Sequence, residues 1–329
     1  MCVVAWCAHT HKSTQTTADG SNYDARTKRP DDERTPPILL SSHEGSNSEG
    51  YQDGTLCERM NPRMPTMMSF LGTGSIVPTR SRSYSAILVE TDGEMLLFDC
   101  GPCTVLRLIR LGRGLSRMKR VFLTHFHIDH TADLVVLLKS RVFHKNADRS
   151  MLRVYGPQGL LRFKSDLFSG VEAWRYLSSD LHALDSVEWK ETSEGIVERS
   201  SGWVVSCAPV THSGGVAYRL DTKDGSFAYS GDTAPDQRLV KLAKGVEVLV
   251  HECSFPDRQA LAGLHTTATE VGFLADAIGC RSLILTHLYP ECEGREQDMI
   301  DQISRVFNGE VFLAYDFFQL ELKRNVTGT

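Results

Sequence analysis

Several things are missing from this sequence, and each absence excludes something. No stretch of its 329 residues approaches 18 consecutive apolar positions, so a membrane-spanning helix is ruled out. There is no excess of positive charge. The 36 Lys and Arg face 41 Asp and Glu, a net −5, so bulk electrostatics recruits neither nucleic acid nor an anionic membrane. An RNA substrate would need a local basic patch. No disulfide framework is visible either: nine cysteines are an odd number without regular spacing, which fits reduced thiols in the cytoplasm. The apolar start, residues 1–8, has no basic flank and reads poorly as a signal peptide. No internal repeat of 20–50 residues appears. Core-forming residues are not lacking: 41% are hydrophobic and 23% charged, as in ordinary globular proteins, and the length suits about two domains or one large one.

Composition changes sharply near residue 65. Residues 1–65 hold only nine Val, Ile, Leu, Phe, Trp or Tyr, amid runs such as Thr27–Pro37 and Ser41–Gly50. Such a segment cannot bury enough apolar area to offset its chain entropy, which predicts a disordered N-terminal tail, residues 1–65. Its seven basic and nine acidic residues are too balanced for a nucleic-acid arm. Residues 66–329 have the texture of a packed domain.

Within that domain, short apolar runs predict strands at 68–71, 85–89, 95–98, 121–124, 152–155, 204–208, 216–220, 227–230, 246–250, 283–286, 311–314 and 319–322. Helical spacing appears at 104–111, 131–143, 159–168, 236–242, 267–278 and 297–307. Hairpin-like runs followed by strand–helix alternation predict an α/β fold with helices outside its sheets.

The strongest chemical signal is Thr124-His125-Phe126-His127-Ile128-Asp129-His130, directly after an apolar run. Alternate residues of an extended segment point the same way, so His125 and His127 can present imidazoles to one point. A turn at Asp129-His130 would aim a carboxylate and a third imidazole at a second point. Imidazole plus carboxylate suits zinc and similar first-row ions. His212, Asp232 and His287 each sit just past a predicted strand, where loops gather functional groups on a rigid scaffold.

These residues in this order resemble the metallo-β-lactamase superfamily, from about Ser69 to Lys323. Phe70–Gly74, Leu96–Pro102, Tyr229–Thr233, His251–Phe255 and Leu264–Thr266 resemble the ribonuclease Z-like phosphodiesterase group. The resemblance implies a four-layer αβ/βα sandwich with two Zn2+ ions at the sheet edges, Mn2+ or Fe2+ being the other candidates. It implies that His125, His127 and His212 hold one ion, that Asp129, His130 and His287 hold the other, and that Asp232 bridges them. Asp129 would also be the general base. His265, oriented by Glu252, would face the scissile phosphate as general acid or clamp. Asp99 is expected to steady a ligand histidine. Gly72-Thr73-Gly74 lacks the marks of a nucleotide loop and predicts a tight turn. Cys100-x-x-Cys103 has thioredoxin spacing without its context.

One departure bears on substrate. Members that act on tRNA commonly carry a long basic arm rich in Gly and Pro. The region where it is expected, Leu181–Trp203, is short and acidic through Glu188, Glu191, Glu194 and Glu198. Phosphate backbones are gripped by Lys and Arg. The expected activity is therefore metal-dependent hydrolysis of a phosphoric diester, either at a tRNA 3′ end or in a small or cyclic phosphodiester. The rivals are a lactonase or arylsulfatase on the same fold, and a non-catalytic RNA-binding scaffold. Expected partners are the phosphodiester substrate, with tRNA as a candidate, and a second copy of the chain, with no membrane. The expected location is cytoplasmic.

Overall fold

The computed structural model describes residues 64–143, 150–170, 172, 176, 186–257 and 263–324. The tail expected at 1–65 lies, except for Met64 and Pro65, outside the described residues.

Two seven-stranded sheets form the centre. The first contains β1 (Met67–Gly72), β2 (Ala86–Thr91), β3 (Glu94–Phe98), β4 (Arg120–Phe122), β5 (Leu152–Gly156) and β6 (Val187–Glu191). The second contains β7 (Gly195–Arg199), β8 (Trp203–Pro209), β9 (Val216–Thr222), β10 (Ser226–Tyr229), β11 (Val248–Glu252), β12 (Ser282–Thr286) and β13 (Glu310–Leu313). The last strand, β14 (Gln319–Glu321), returns to the first sheet beside β1, giving the orders β14-β1-β2-β3-β4-β5-β6 and β13-β12-β11-β10-β9-β8-β7.

Three apolar layers hold the architecture together. Between the sheets, Phe98 stacks on Phe122 and Phe122 on Tyr155, with centroids 5.0 and 4.9 Å apart, and Tyr218 and Phe227 meet them edge-on. Outside the first sheet, α1 (Thr104–Arg110), α3 (Leu134–Phe143) and α4 (Leu160–Ser165) bury Leu108, Leu137 and Leu160. Outside the second, α5 (Gln237–Leu242), α6 (Ala268–Ile278) and α7 (Glu296–Ser304) bury Leu239, Val271 and Ile303. The result is the four-layer αβ/βα sandwich. Its central strands are apolar on both faces because each face is covered, which is why they read as continuous hydrophobic runs.

Two strands escape the sequence reading. The region 181–203, expected as a short acidic stand-in for a substrate arm, supplies the edge strands β6 and β7 from its described residues, 186–203. Three of its acidic side chains are engaged within the protein. Glu198 accepts from Arg120 Nε and Arg153 Nη1, both at 3.0 Å, and from the Tyr155 hydroxyl at 2.5 Å. Glu188 pairs with Arg153 and Lys190, and Glu191 accepts from the backbone N–H groups of Gly159 and Leu161. Charged residues interrupt both edge strands, so they show no apolar run. The turn expected at Asp129-His130 is also different: these residues form a single helical turn, α2 (Ile128–Thr131).

The order β3-β4-β5 in one sheet and β10-β11-β12-β13 in the other is parallel. Their carboxyl ends therefore open on one side, the crevice where open α/β sheets bind ligands.

Candidate metal centre

The seven candidate ligands and Glu252 lie at or just past strand ends on this side. The chain leaves β4 through Thr124 into His125, with His127 capping α2, whose one turn carries Asp129 and His130. His212 follows β8, Asp232 follows β10, Glu252 ends β11 and His287 follows β12. Close backbone approach makes this convergence feasible. A Cβ on Gly101 would stand 2.1 Å from the Asp129 carbonyl oxygen, and one on Gly231 would stand 2.7 Å from Cβ of Thr124.

The structure brings the seven candidate ligands into two groups that share one residue. Donor atoms of His125, His127, His212 and Asp232 lie within 4.8 Å of one another, and so do those of Asp129, His130, Asp232 and His287. Asp232 Oδ2 is 3.7 Å from His125 Nε2, 3.9 Å from His212 Nε2 and 3.3 Å from His287 Nε2, while its Oδ1 is 3.3 Å from His130 Nε2. Asp129 Oδ2 stands 3.6 Å from His130 Nε2 and 3.4 Å from His287 Nε2.

The imidazoles are held from behind. His130 Nδ1 faces Asp99 Oδ2 at 2.8 Å, and Asp99 is itself fixed by donors from Thr124 and Tyr229. His212 Nδ1 donates to the Leu264 carbonyl at 3.0 Å, His287 Nδ1 meets Ser254 Oγ at 3.1 Å, and His125 Nδ1 meets Thr124 Oγ1 at 3.0 Å. Each of these contacts turns Nε2 inward. His127 is reversed: its Nδ1 faces His212 Nε2 at 3.3 Å, and its Nε2 meets Ser213. Partners on the far nitrogen fix tautomer and orientation, as metal-binding imidazoles require.

The charge states of His125 and Asp232 suit a cation. Burial and the neighbouring His130 hold the His125 pKa well below its ordinary value, keeping the ring neutral. For Asp232, burial alone would favour the protonated form, but His287, His130 and His125 outweigh it and hold the carboxyl well below its usual range. Burial lowers the His130 pKa, yet Asp232 and Asp99 more than reverse this and raise it. His125 Nε2, His130 Nε2 and Asp232 Oδ1 are buried without hydrogen-bond partners. Buried polar atoms left unpaired carry a cost unless something binds them. This donor set of imidazoles and carboxylates fits zinc or a similar ion.

Beside the two groups stands His265, whose Nδ1 donates to Glu252 Oε1 at 2.9 Å. Burial opposes its protonation, but Glu252, with Asp232 and Asp129 behind it, raises its pKa above the ordinary value. Glu252 does more than orient this ring. Its buried carboxylate also accepts from Thr233 N–H at 3.0 Å and from the N–H and hydroxyl of Ser254 at 3.1 and 2.8 Å. It thus ties together the loops that carry Asp232, His265 and His287. Thr266 donates to the Thr233 carbonyl, and Thr267 and Glu270 close a capping box on α6, which fixes the His265 turn from its other side. Ser254 is the residue that motif reading missed. It lies inside the quoted His251–Phe255 stretch, but only the fold sets its hydroxyl between Glu252 and two histidines.

A cleft of about 390 Å³ opens over this cluster. Besides His265 and five of the candidate ligands (His127, Asp129, His212, Asp232 and His287), it is lined by Ile76, Ile128, Ser213, Leu264 and Tyr289. No Lys or Arg is among these lining residues. Cys100 is buried and Cys103 exposed, both as free thiols, and Cys103 has a left-handed backbone with φ 71°.

The fold and this edge cluster define a ribonuclease Z-like protein of the metallo-β-lactamase superfamily. The family model described as Anti-Pycsar protein Apyc1 matches residues 66–311, and the chain belongs to that family. Ribonuclease Z of Brevibacillus brevis is 30% identical over 319 residues, covering 78% of this chain and 97% of that protein. Among solved structures, the metallo-β-lactamase fold protein YhfI from Bacillus subtilis superposes with a TM-score of 0.68 at 20% identity, over 78% of this chain and 100% of its own. The short form of human tRNase Z superposes with a TM-score of 0.61 at 23% identity, over the same shares. Among the described residues no helix is long and apolar enough to cross a membrane.

Proposed function

We propose that this chain, a metal-dependent hydrolase acting on phosphodiester bonds, works with two zinc ions on small or cyclic phosphodiesters. The observation that carries the two-ion reading is the pair of ligand groups sharing Asp232. His125, His127 and His212 would hold one ion, and Asp129, His130 and His287 the other. Mn2+ or Fe2+ would fit the same donors. When bound, the ions would supply Lewis acidity and an activated water. Asp129, at the edge of the second group, would take the water's proton. His265, whose pKa Glu252 raises, would give a proton to the leaving oxygen or steady the phosphate.

The preference for a small substrate rests on the cleft lining. Ile76, Ile128, Leu264 and Tyr289 offer apolar contacts to a group attached to the phosphate, and among the described residues the lining contains no Lys or Arg to track a polynucleotide. Cleavage of precursor tRNA is the second reading, favoured by the ribonuclease Z relatives. Comparing a cyclic mononucleotide with a precursor tRNA transcript, at equal salt and enzyme, tests the choice. Faster turnover of the cyclic diester supports the first reading. Specific cleavage at the tRNA 3′ end would make tRNA processing the function.

Six free cysteines among the described residues support a reducing, cytoplasmic setting. We infer a homodimer from Leu106 and Ile109, which are exposed side by side on α1. Light scattering that returns the mass of one chain removes that inference.

A further inference from the structure

Asp316 stands in the turn between β13 and β14, outside the cleft, and its carboxylate collects four donors. Oδ1 accepts from Thr73 N–H at 3.0 Å and from the Thr73 hydroxyl at 2.8 Å. Oδ2 accepts from Ser83 N–H at 2.7 Å and from the Arg107 guanidinium. Arg82 adds a contact to the Thr73 hydroxyl at 3.0 Å and another to the Ala314 carbonyl, while Arg107 also reaches the Leu71 carbonyl. One acid and two arginines therefore lock the exit of β1 against the exit of β13, at the rim where both sheets open.

The consequence reaches the metal centre through the backbone. The Thr73 carbonyl accepts from Leu288 N–H at 3.0 Å, and Gly74 pairs with Leu288 as an isolated parallel bridge. Leu288 directly follows His287, whose φ of 55° lies in the left-handed region. A residue with a side chain stays there only when its surroundings hold it. Ser254 fixes the His287 ring, but the backbone on its far side is fixed by Thr73, and Thr73 is fixed by Asp316.

We propose that Asp316 is a positioning residue for the second ligand group: through Thr73 and Leu288 it keeps His287 aimed at Asp129 and Asp232. This rests on the two-ion reading above. Nothing in the motif around His287 points to Asp316, which is 29 positions further along and reaches the backbone after His287 through Thr73, the residue that follows β1.

Zinc titration of chelator-treated protein, read by competition with a chromogenic chelator, tests it. The wild-type chain is expected to show two affinities. Asp316→Asn, which keeps the side-chain shape but loses the charge, should weaken the second affinity by about 10- to 100-fold and leave the first unchanged, the usual cost of losing a partner behind a ligand. Thr73→Val should shift the same affinity less. Asp236→Ala, a change at the start of α5 that lowers stability without touching this chain of contacts, should leave the second affinity unchanged. Unchanged second affinity in Asp316→Asn, or equal weakening of both, overturns the positioning role. A wild-type chain that binds one ion overturns instead the two-ion reading on which it rests.

Discussion

Asp99 Oδ2 and His130 Nδ1 lie 2.8 Å apart in the fully buried space between β3 and α2. This contact commits the His130 proton to Nδ1 and turns Nε2 toward Asp232 and Asp129. It also stores a charge. With no cation bound, the two carboxylates facing the ring favour the imidazolium.

Zinc binding should therefore release a proton. Ligating imidazoles must be neutral, so a ring whose pKa is raised above 6.5 gives up its proton when metal arrives. Calorimetric titration near pH 7 in buffers of differing ionisation enthalpy should report release of about one proton per chain. Affinity should climb with pH until the raised His130 value is passed. Binding without proton release would contradict the assignment of His130 as a ligand.

The shared carboxylate predicts unequal effects of ligand deletion. Asp232→Ala should empty both positions, since Asp232 faces all the imidazoles of both groups except His127 at 3.3–3.9 Å. His287→Ala should empty mainly the second. Elemental analysis of proteins purified without chelator distinguishes them, and an Asp232→Ala protein that keeps two ions would show that it is no bridge.

His265 separates chemistry from binding. His265→Ala should keep the metal content and lower kcat by about 10²–10⁴, the usual worth of a positioned acid or base. The loss should be large for an alkoxide leaving group and small for nitrophenolate, which needs no proton. Equal losses on both would make His265 a phosphate clamp, and no loss would remove it from the reaction.

Asp236 caps α5, accepting from Arg238 N–H at 2.8 Å and from Thr211 Oγ1 at 2.7 Å. Burial would raise its pKa, but these bonds and the Arg238 guanidinium bring it down to about 2, from 3.8. A carboxyl lowered on folding adds stability above its unfolded value and loses it as pH falls through the folded one. Asp236→Ala should therefore cost about 1–2 kcal/mol at pH 7, the worth of a strong N-cap. Urea unfolding should show that deficit shrinking between pH 4 and pH 2. A deficit that ignores pH would mean that the charge is irrelevant.

The family match begins at residue 66, and the preceding residues have no core-forming pattern. A chain beginning at Pro65 should keep the melting temperature and hydrolysis rate of the full chain. A large loss in either would show that residues 1–64 take part in the folded domain.

The sequence by itself determined a great deal here, because two kinds of signal in it are local. Strands covered on both faces must be apolar throughout, so β3, β4, β5, β10, β11 and β12 were legible as hydrophobic runs. The ligand-type residues of His125–His130, and His212, Asp232 and His287, follow such runs directly, so their placement at strand ends was legible too. Only the tertiary structure decided what depends on distant segments meeting. Edge strands β6 and β7 carry no apolar run, and their glutamates gain their meaning from Arg120 on β4 and Arg153 on β5. Ser254 is an unremarkable serine until the loops after β10, β11 and β12 converge on Glu252. Asp316 touches Thr73 across 243 positions of chain. Such contacts leave no local pattern, because the chain pays for each of them through closure of the whole sandwich rather than through the residues beside it.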